Sequence, residues 1–387
     1  MTRISKTTDY IGLLEDRAGD VSEMLNRLLN TAALDRDAVH RPASGCCSLP
    51  QTPPRRRPRD LSAFREALIA YSEKKWVNGM TLHYAFYDRP GLRGLASNVQ
   101  MVRDAVAVWR DLGIGLNLVE TTDIAEARIR IAFRPGDGTW SYVGTDALDC
   151  PGAEAPTMNF GWDLRVDPRG IDTALHQIGH ALGFPYEHQN PFAGVAWSTA
   201  EVARHFAGAP QYRDIGRIRR NILNKHWPTG IPGSGWDPDS VMHNSFESGL
   251  ILHPAADHDG LTPAPGLSAM DRAEALKFYP PQKAGPLAVL APGRAEPLEL
   301  APTEQKTLML RPDETRDHAI LSTGSADLLM VLFRRDNGRE SLVAASDNSG
   351  TDTTAPITVR LERGVDYILR IRMHSCHGSR SAAVLYR

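Results

Sequence analysis

Residues 173–191 read TALHQIGHALGFPYEHQNP, and this stretch decides the fold. His176 and His180 stand four apart. On a helix they lie one turn above each other, so their imidazoles project from one face and can share a metal ion. Leu175, Ile178, Ala181 and Leu182 cover the buried sides of that helix. Gly183 is placed to end it as a left-handed C-terminal cap, turning the chain so that a residue just beyond swings back as a third ligand. Three side chains there have ligand chemistry: the phenolate of Tyr186, the carboxylate of Glu187 and the imidazole of His188.

The segment HQIGHALGFPYEH resembles the metzincin zinc peptidases, whose pattern is His-Glu-x-x-His-x-x-Gly-x-x-His. Among them it is most similar to the astacins, through Gly183-Phe184, Glu187 and His188. Residues 239–244, DSVMHN, resemble the Met-turn, with Met242 in the methionine position beneath the metal-binding histidines. The resemblance implies an α+β metzincin-like catalytic domain, a twisted sheet over a metal-binding helix. It further implies zinc held by His176, His180 and position 186, with Glu187 turned away from the metal. Tyr186 is therefore the expected third ligand, and Glu187, His188 and Asn244 are neighbouring or alternative ones. Three residues depart from the family pattern: Gln177 replaces the general-base glutamate, Tyr186 the third histidine, and Asn244 a tyrosine two residues after the Met-turn methionine.

A zinc peptidase needs a metal to polarise the carbonyl and acidify a water, and a base to take that water's proton and pass it to the leaving amine. Gln177 keeps the shape of glutamate and can hydrogen-bond the water, but it cannot accept the proton. General acid–base groups contribute roughly 10² to 10⁴-fold in rate. Peptide hydrolysis is thus expected to be weak, lost or redirected to other metal chemistry. A tyrosinate ligand is hard and anionic, which makes iron or copper alternatives to zinc. Other readings are a catalytically dead pseudoprotease that binds peptides, and an active metalloendopeptidase inactivated by a deliberate Glu-to-Gln exchange. Three departures at one centre favour loss or redirection over a single edit. The expected substrate is a peptide or protein segment in an extended cleft, with a small metabolite as the alternative.

The chain has 387 residues, 42% hydrophobic and 23% charged, enough for two domains with their own cores. A net charge of −2 gives no reason to expect nucleic acid or an anionic membrane as partner. No apolar run is long enough to span a bilayer, and the first residues lack the pattern of a secretion signal. The chain as written is expected in the cytoplasm, and outside the cell if a leader precedes it. Cys46, Cys47, Cys150 and Cys376 are too few and scattered for a disulfide framework.

Residues 1–60 read as an N-terminal extension or pro-segment. Ile11, Leu14, Val21, Leu25 and Leu28 have helical spacing, and PPRRRPRD at 53–60 is an extended, exposed linker. Cys46 or Cys47 can supply a thiolate to an open metal position, or the whole segment is a plain solvated extension. Residues 61–282 form the metzincin-like domain, with a strand at 80–87 and further strands at 116–120 and 127–133. Ser97 with Gln100 reads as a capping box, opening a helix whose buried face is Val99, Val102, Val106 and Trp109. Residues 136–163 carry, by resemblance, the cleft's edge strand, where an extended peptide adds by pairing. Trp140, Tyr142 and Trp162 there either line the cleft or fill a core. A second helical stretch covers 198–226, with Ser198 and Glu201 as its capping box. Its His205 and His226 are read as polar residues, not ligands. Ser268 with Asp271 caps a last helix ending near Tyr279.

From residue 283 to 387 the texture changes to short β-rich runs at 306–310, 328–333, 341–345, 357–361 and 367–373, separated by turns. This predicts an all-β sandwich. Through SGTD and GVDYILRIR it is similar to pre-peptidase C-terminal domains. Its aspartate-rich turns are turns first and calcium ligands second.

Overall fold

The computed structural model describes residues 47–52, 74–150, 152, 154–208, 213–225, 235–282, 285–300, 304–324, 328–336, 339–347, 356–373 and 380–387. The residues of helical spacing between 11 and 28, Cys46, the linker at 53–60, His226, Cys376 and the SGTD run at 349–352 lie outside the described residues.

The first domain opens with a sheet of β1 (Thr81–Phe86), β2 (Asn117–Glu120), β3 (Ile129–Ala132), β4 (Trp140–Ser141) and β5 (Met158–Asn159). Their order is β2-β1-β3-β5-β4, and all pairs are parallel except β4 with β5, which leaves β4 as an antiparallel edge. Helix α1 (Ala96–Asp111) buries Val102, Ala105, Val106 and Trp109, the three-and-four spacing of one helical face. Its start differs from expectation. Leu95 is the N-cap and no side chain caps the helix, so the Ser97–Gln100 box does not form. Gln100 instead reaches along the helix to Asp104.

Helix α2 (Ile171–Ala181) carries both metal-spaced histidines and is buried from Asp172 to its end. It crosses beneath the sheet against α1, where the Trp109 indole donates to Leu175 O at 3.0 Å and stacks on Phe184 at 5.5 Å. Gly183, at φ +102, ends it. Its amide donates to His180 O and that of Phe184 to Gly179 O, the paired bonds of a Schellman cap.

Below α2 the chain is less regular. Among the described residues, the helical stretch expected over 198–226 contains α3 (Thr199–Ala207), and α4 (Ile215–Ile218) running into a π-helical turn at Arg219–Leu223. Ser198 is the N-cap of α3 but makes no capping bond. Two short antiparallel pairs, β6 (Ala196–Trp197) with β8 (Ile251–His253) and β7 (Phe246–Glu247) with β9 (Gly260–Leu261), close this part. It has a small core of its own around Val202, Phe206, Ile218, Ile222 and Ile251. Helix α5 (Ala269–Phe278) begins with the expected capping box between Ser268 and Asp271. The next residue, Tyr279, donates its hydroxyl to Leu182 O at the end of α2.

The second domain is a sandwich. One sheet has the order β10 (Ala288–Val289), β12 (Gln305–Leu310), β17 (Asp366–Met373), β14 (Leu328–Asp336), β15 (Arg339–Asp347). The other has β11 (Ala295–Leu300), β18 (Arg380–Tyr386), β13 (Arg316–Gly324), β16 (Ile357–Leu361). Strands β11, β13 and β18 lie where no β run was expected, since Pro297, His318 and the arginines at 316 and 380 dilute their apolar pattern. The central β17 is buried on both faces. Tyr367, Leu369, Ile371 and Met373 enter the sandwich core, while Ile368, Arg370 and Arg372 point outward. That outer face docks on residues 75–80. Ile368, Val331 and Phe333 pack with Val77, Arg372 donates to Lys75 O at 3.3 Å, and Gln305 donates to Asn78 O at 2.7 Å. Among the described residues no helix is long and apolar enough to cross a membrane.

Candidate metal centre

His176 and His180 occupy successive turns of α2 with ring centroids 4.5 Å apart, both buried. Each is fixed by a carbonyl. His176 Nδ1 donates to Val241 O at 2.7 Å and His180 Nδ1 to Phe184 O at 2.8 Å. A carbonyl can only accept, so the lone pair of each ring is left on Nε2, the tautomer that a metal requires. Burial lowers both basicities, His176 to about 4 and His180 well below its ordinary value, so the rings are neutral.

The two Nε2 atoms face Cys47. Its Sγ lies 3.1 Å from His176 Nε2, 3.5 Å from His180 Nε2 and 3.0 Å from the Tyr186 hydroxyl. Among the described residues, Cys47, His176 and His180 form the one group of three potential metal-binding side chains of these types, with ligand atoms within 4.8 Å of one another. Burial pushes the free Cys47 thiol up to about 11. Tyr186 is fully enclosed, its ring 4.7 Å from that of His180, and its hydroxyl donates to Cys47 O at 3.0 Å. The phenol has one proton, which can serve that carbonyl or the sulfur, both at 3.0 Å, but not both at once.

Gln177 lies in the same buried turn, and neither atom of its amide has a hydrogen-bond partner. Such a group costs free energy unless something polar meets it. The orphaned amide beside two imidazole lone pairs, a thiol and a phenol fits a bound cation and its water better than a purely structural core.

The turn around Met242 supports this floor. Met242 is buried under α2, and a Cβ at Gly179 would overlap its sulfur, so only glycine lets the two approach. Glu187 N donates to Met242 O, tying the chain after Tyr186 to the same turn.

Of the three alternative ligands, Glu187 and His188 are turned elsewhere. Glu187 accepts from Asn190 Nδ2 at 2.8 Å and from Asp237 N at 3.1 Å, and burial raises its carboxyl to about 7. His188 spends Nε2 on Asn221 O at 2.8 Å, behind Tyr186. Asn244 is buried with its side-chain amide nitrogen unpartnered, and its backbone carbonyl accepts from His243 Nδ1 at 2.7 Å. Trp140, Tyr142 and Trp162 are all partly exposed, so none is simply a core residue.

No family model matches the chain. It is 25% identical to bone morphogenetic protein 1 of Xenopus laevis, an astacin-family metalloprotease, over 234 residues. That match takes in 58% of this chain and 29% of the relative, so the chain spans less than a third of the relative's length. A solved structure of myroilysin is 28% identical over 55% of this chain and 98% of its own, with a TM-score of 0.48. The pre-peptidase C-terminal domain of a Bacillus anthracis collagenase is 9% identical over 27% of this chain and 99% of its own, with a TM-score of 0.24. A mixed α+β domain followed by a β-sandwich is the fold class expected from the sequence. Arg213, which donates to Cys47 O at 3.3 Å, carried no sequence signal, because nothing in its neighbourhood has ligand or catalytic spacing.

Proposed function

We propose that this chain is a zinc-binding protein of metallopeptidase ancestry whose peptide-bond hydrolysis is suppressed, with its own Cys47 set at the metal position. One observation carries the reading: the Cys47 thiol, two imidazole lone pairs and the Tyr186 hydroxyl converge on one buried point, while the glutamine that stands for the general base is unpartnered. Two nitrogens with a thiolate suit zinc, and the soft sulfur argues against the harder alternatives that a tyrosinate alone suggested.

When bound, the metal would supply Lewis acidity and lower the pKa of a water. The chain's own residues would do the rest as follows. His176 and His180 hold the ion, oriented by Val241 O and Phe184 O. Tyr186 gives its proton to a carbonyl beside the metal, the place of Cys47 O here. Gln177 can hydrogen-bond a water or a thiolate, but it takes no proton from either. A carboxylate at 177 would complete the base, and an imidazole at 186 the third neutral ligand.

The test is elemental mass spectrometry of the full chain beside a peptide-cleavage assay. We expect about one zinc per chain and cleavage near background. The variant Gln177→Glu, Tyr186→His, Cys47→Ser should then gain roughly 10²- to 10⁴-fold in rate, the range of a restored general base. Protein that takes up no metal, even after dialysis against zinc, would overturn the reading and leave a peptide-binding module. Bound iron or copper without any gain in cleavage would mean redirected chemistry.

A further inference from the structure

Residues 47–49 cross the metal centre as an extended strand, and their backbone groups alternate sides. Cys47 O accepts from Arg213 Nη2 at 3.3 Å, and Leu49 N donates to Asn221 Oδ1 at 2.9 Å, both toward the helical side of the molecule. Between them, Ser48 N donates to Thr139 O at 3.2 Å, toward the sheet, one residue before β4. In an extended chain the polar groups of residues i and i+2 point one way and those of i+1 the other. These three contacts follow that period.

The helical side is built to receive a backbone. Arg213 is buried, its guanidinium lying 5.1 Å from the Phe206 ring, which holds it against the core. Asn221, also buried, is oriented on both sides. Its Nδ2 donates to Arg217 O at 3.0 Å, so Oδ1 must face the strand, and its carbonyl accepts from His188 Nε2 at 2.8 Å. Through His188, whose ring lies 4.8 Å from that of Tyr186, the Asn221 anchor is packed directly behind the metal centre.

The geometry points to Arg213 and Asn221 as positioning residues that read the backbone of an extended peptide lying across the metal, residues 47–49 being the peptide held there now. Arg213 offers a donor to the carbonyl nearest the metal, and Asn221 an acceptor to the amide two residues on. Neither contact involves a side chain of the peptide, so the pair selects extended conformation and a free N–H rather than sequence. This rests on the metal-centre reading only for the location of the strand.

The experiment measures alkylation of Cys47 by iodoacetamide in the full chain, resolved by residue with mass spectrometry and referenced to Cys150 in the same sample. Leu49→Pro removes the N–H that Asn221 accepts without touching the domain beneath. It should raise the Cys47 rate about 3- to 10-fold, the effect of losing one hydrogen bond. Leu49→Ala keeps the N–H and should leave the rate unchanged. Asn221→Ala should match Leu49→Pro, combining the two should add nothing, and Asn221→Asp should restore protection because it keeps the acceptor. An unchanged rate in Leu49→Pro, or additive effects of Leu49→Pro and Asn221→Ala, would overturn the assignment and leave Asn221 a structural residue. Metal content measured on the same samples separates the two readings. Zinc present with ratios of one sinks the clamp alone, and zinc absent with the ratios intact sinks the metal centre alone.

Discussion

The metal centre and the sandwich interior are both deeply buried, yet they are made of opposite materials. The sandwich core is almost wholly aliphatic, with Leu298, Leu308, Ile320, Leu332, Leu369 and Val384 meeting between two sheets. Around the metal centre, burial encloses Gln177, His188, His243 and Asn244, each with at least one polar atom that has no partner. An aliphatic core is stabilised by area removed from water, at roughly 25 cal/mol per Å². Enclosed polar atoms without partners lower stability, by about 1–3 kcal/mol each. A fold retains such atoms where a ligand or water can meet them. The sandwich encloses a few as well, on the neighbouring rings of His318 and Tyr386, so the difference between the two interiors is one of degree.

The largest expected effect that would break this division lies in the sandwich. Leu369, at the centre of β17, should cost about 2–5 kcal/mol when changed to alanine, because a buried methylene cavity cannot collapse between two sheets. Chemical denaturation would measure the loss, and zinc content in native buffer should stay at the parent level. A fall in both would show that the halves are one cooperative unit, coupled through residues 75–80.

A smaller effect is expected under α2. In Gly179→Ala the new methyl overlaps the Met242 sulfur and meets the Trp109 ring, a strain of about 1–3 kcal/mol. Alanine recovers about 1 kcal/mol over glycine inside a helix. The net loss should be about 1 kcal/mol by thermal unfolding, accompanied by weaker zinc retention against a chelator, since His176 is anchored to the neighbouring Val241 O. Unchanged zinc retention would show that the floor of the site is softer than the helix above it.

The smallest effect probes the seam between the domains. Lys75 is buried against the rings of Phe278 and Tyr279, and burial, with the charge of Arg372 second, lowers its amine to about 7. The unfolded chain then holds more protons than the folded one between about pH 7 and the ordinary lysine value near 10.5. Stability should therefore rise with pH across that window. In Lys75→Met that rise should shrink, and the variant should be the more stable of the two at pH 7. Denaturation midpoints at pH 7, 8 and 9 for both proteins would check it, and parallel profiles would refute a lowered Lys75.

Much of the metal centre was legible because its parts are local. His176 and His180 sit one helical turn apart, Gly183 follows at the helix end, and Tyr186 lies three residues further on. Each was assigned to the site before any contact was known. Cys47 was legible only as one of two adjacent cysteines, Cys46 being its rival, because 129 residues separate it from His176. The wrong expectations were also local ones. The Ser97–Gln100 box had the right residues, but the N-cap is Leu95, two residues earlier, and the helix begins at Ala96. The Ser198–Glu201 box failed in the same way, since Ser198 is the N-cap of α3 but makes no side-chain capping bond.

The sequence alone therefore determined the α+β and all-β fold classes, and the helix with the metal-spaced histidines and its glycine end. Helical and strand periods and the donor chemistry of individual residues are short-range properties. Only the tertiary structure decided that Cys47 faces both imidazoles, that Glu187 and His188 turn away, and that Arg213, Asn221 and Thr139 bracket one strand. The contacts of Cys47, Ser48 and Leu49 join residues from 91 to 172 positions apart, while Glu187 and His188 are turned by partners 3 to 50 positions away. Distances of that kind are set by how whole elements pack, which no local pattern encodes.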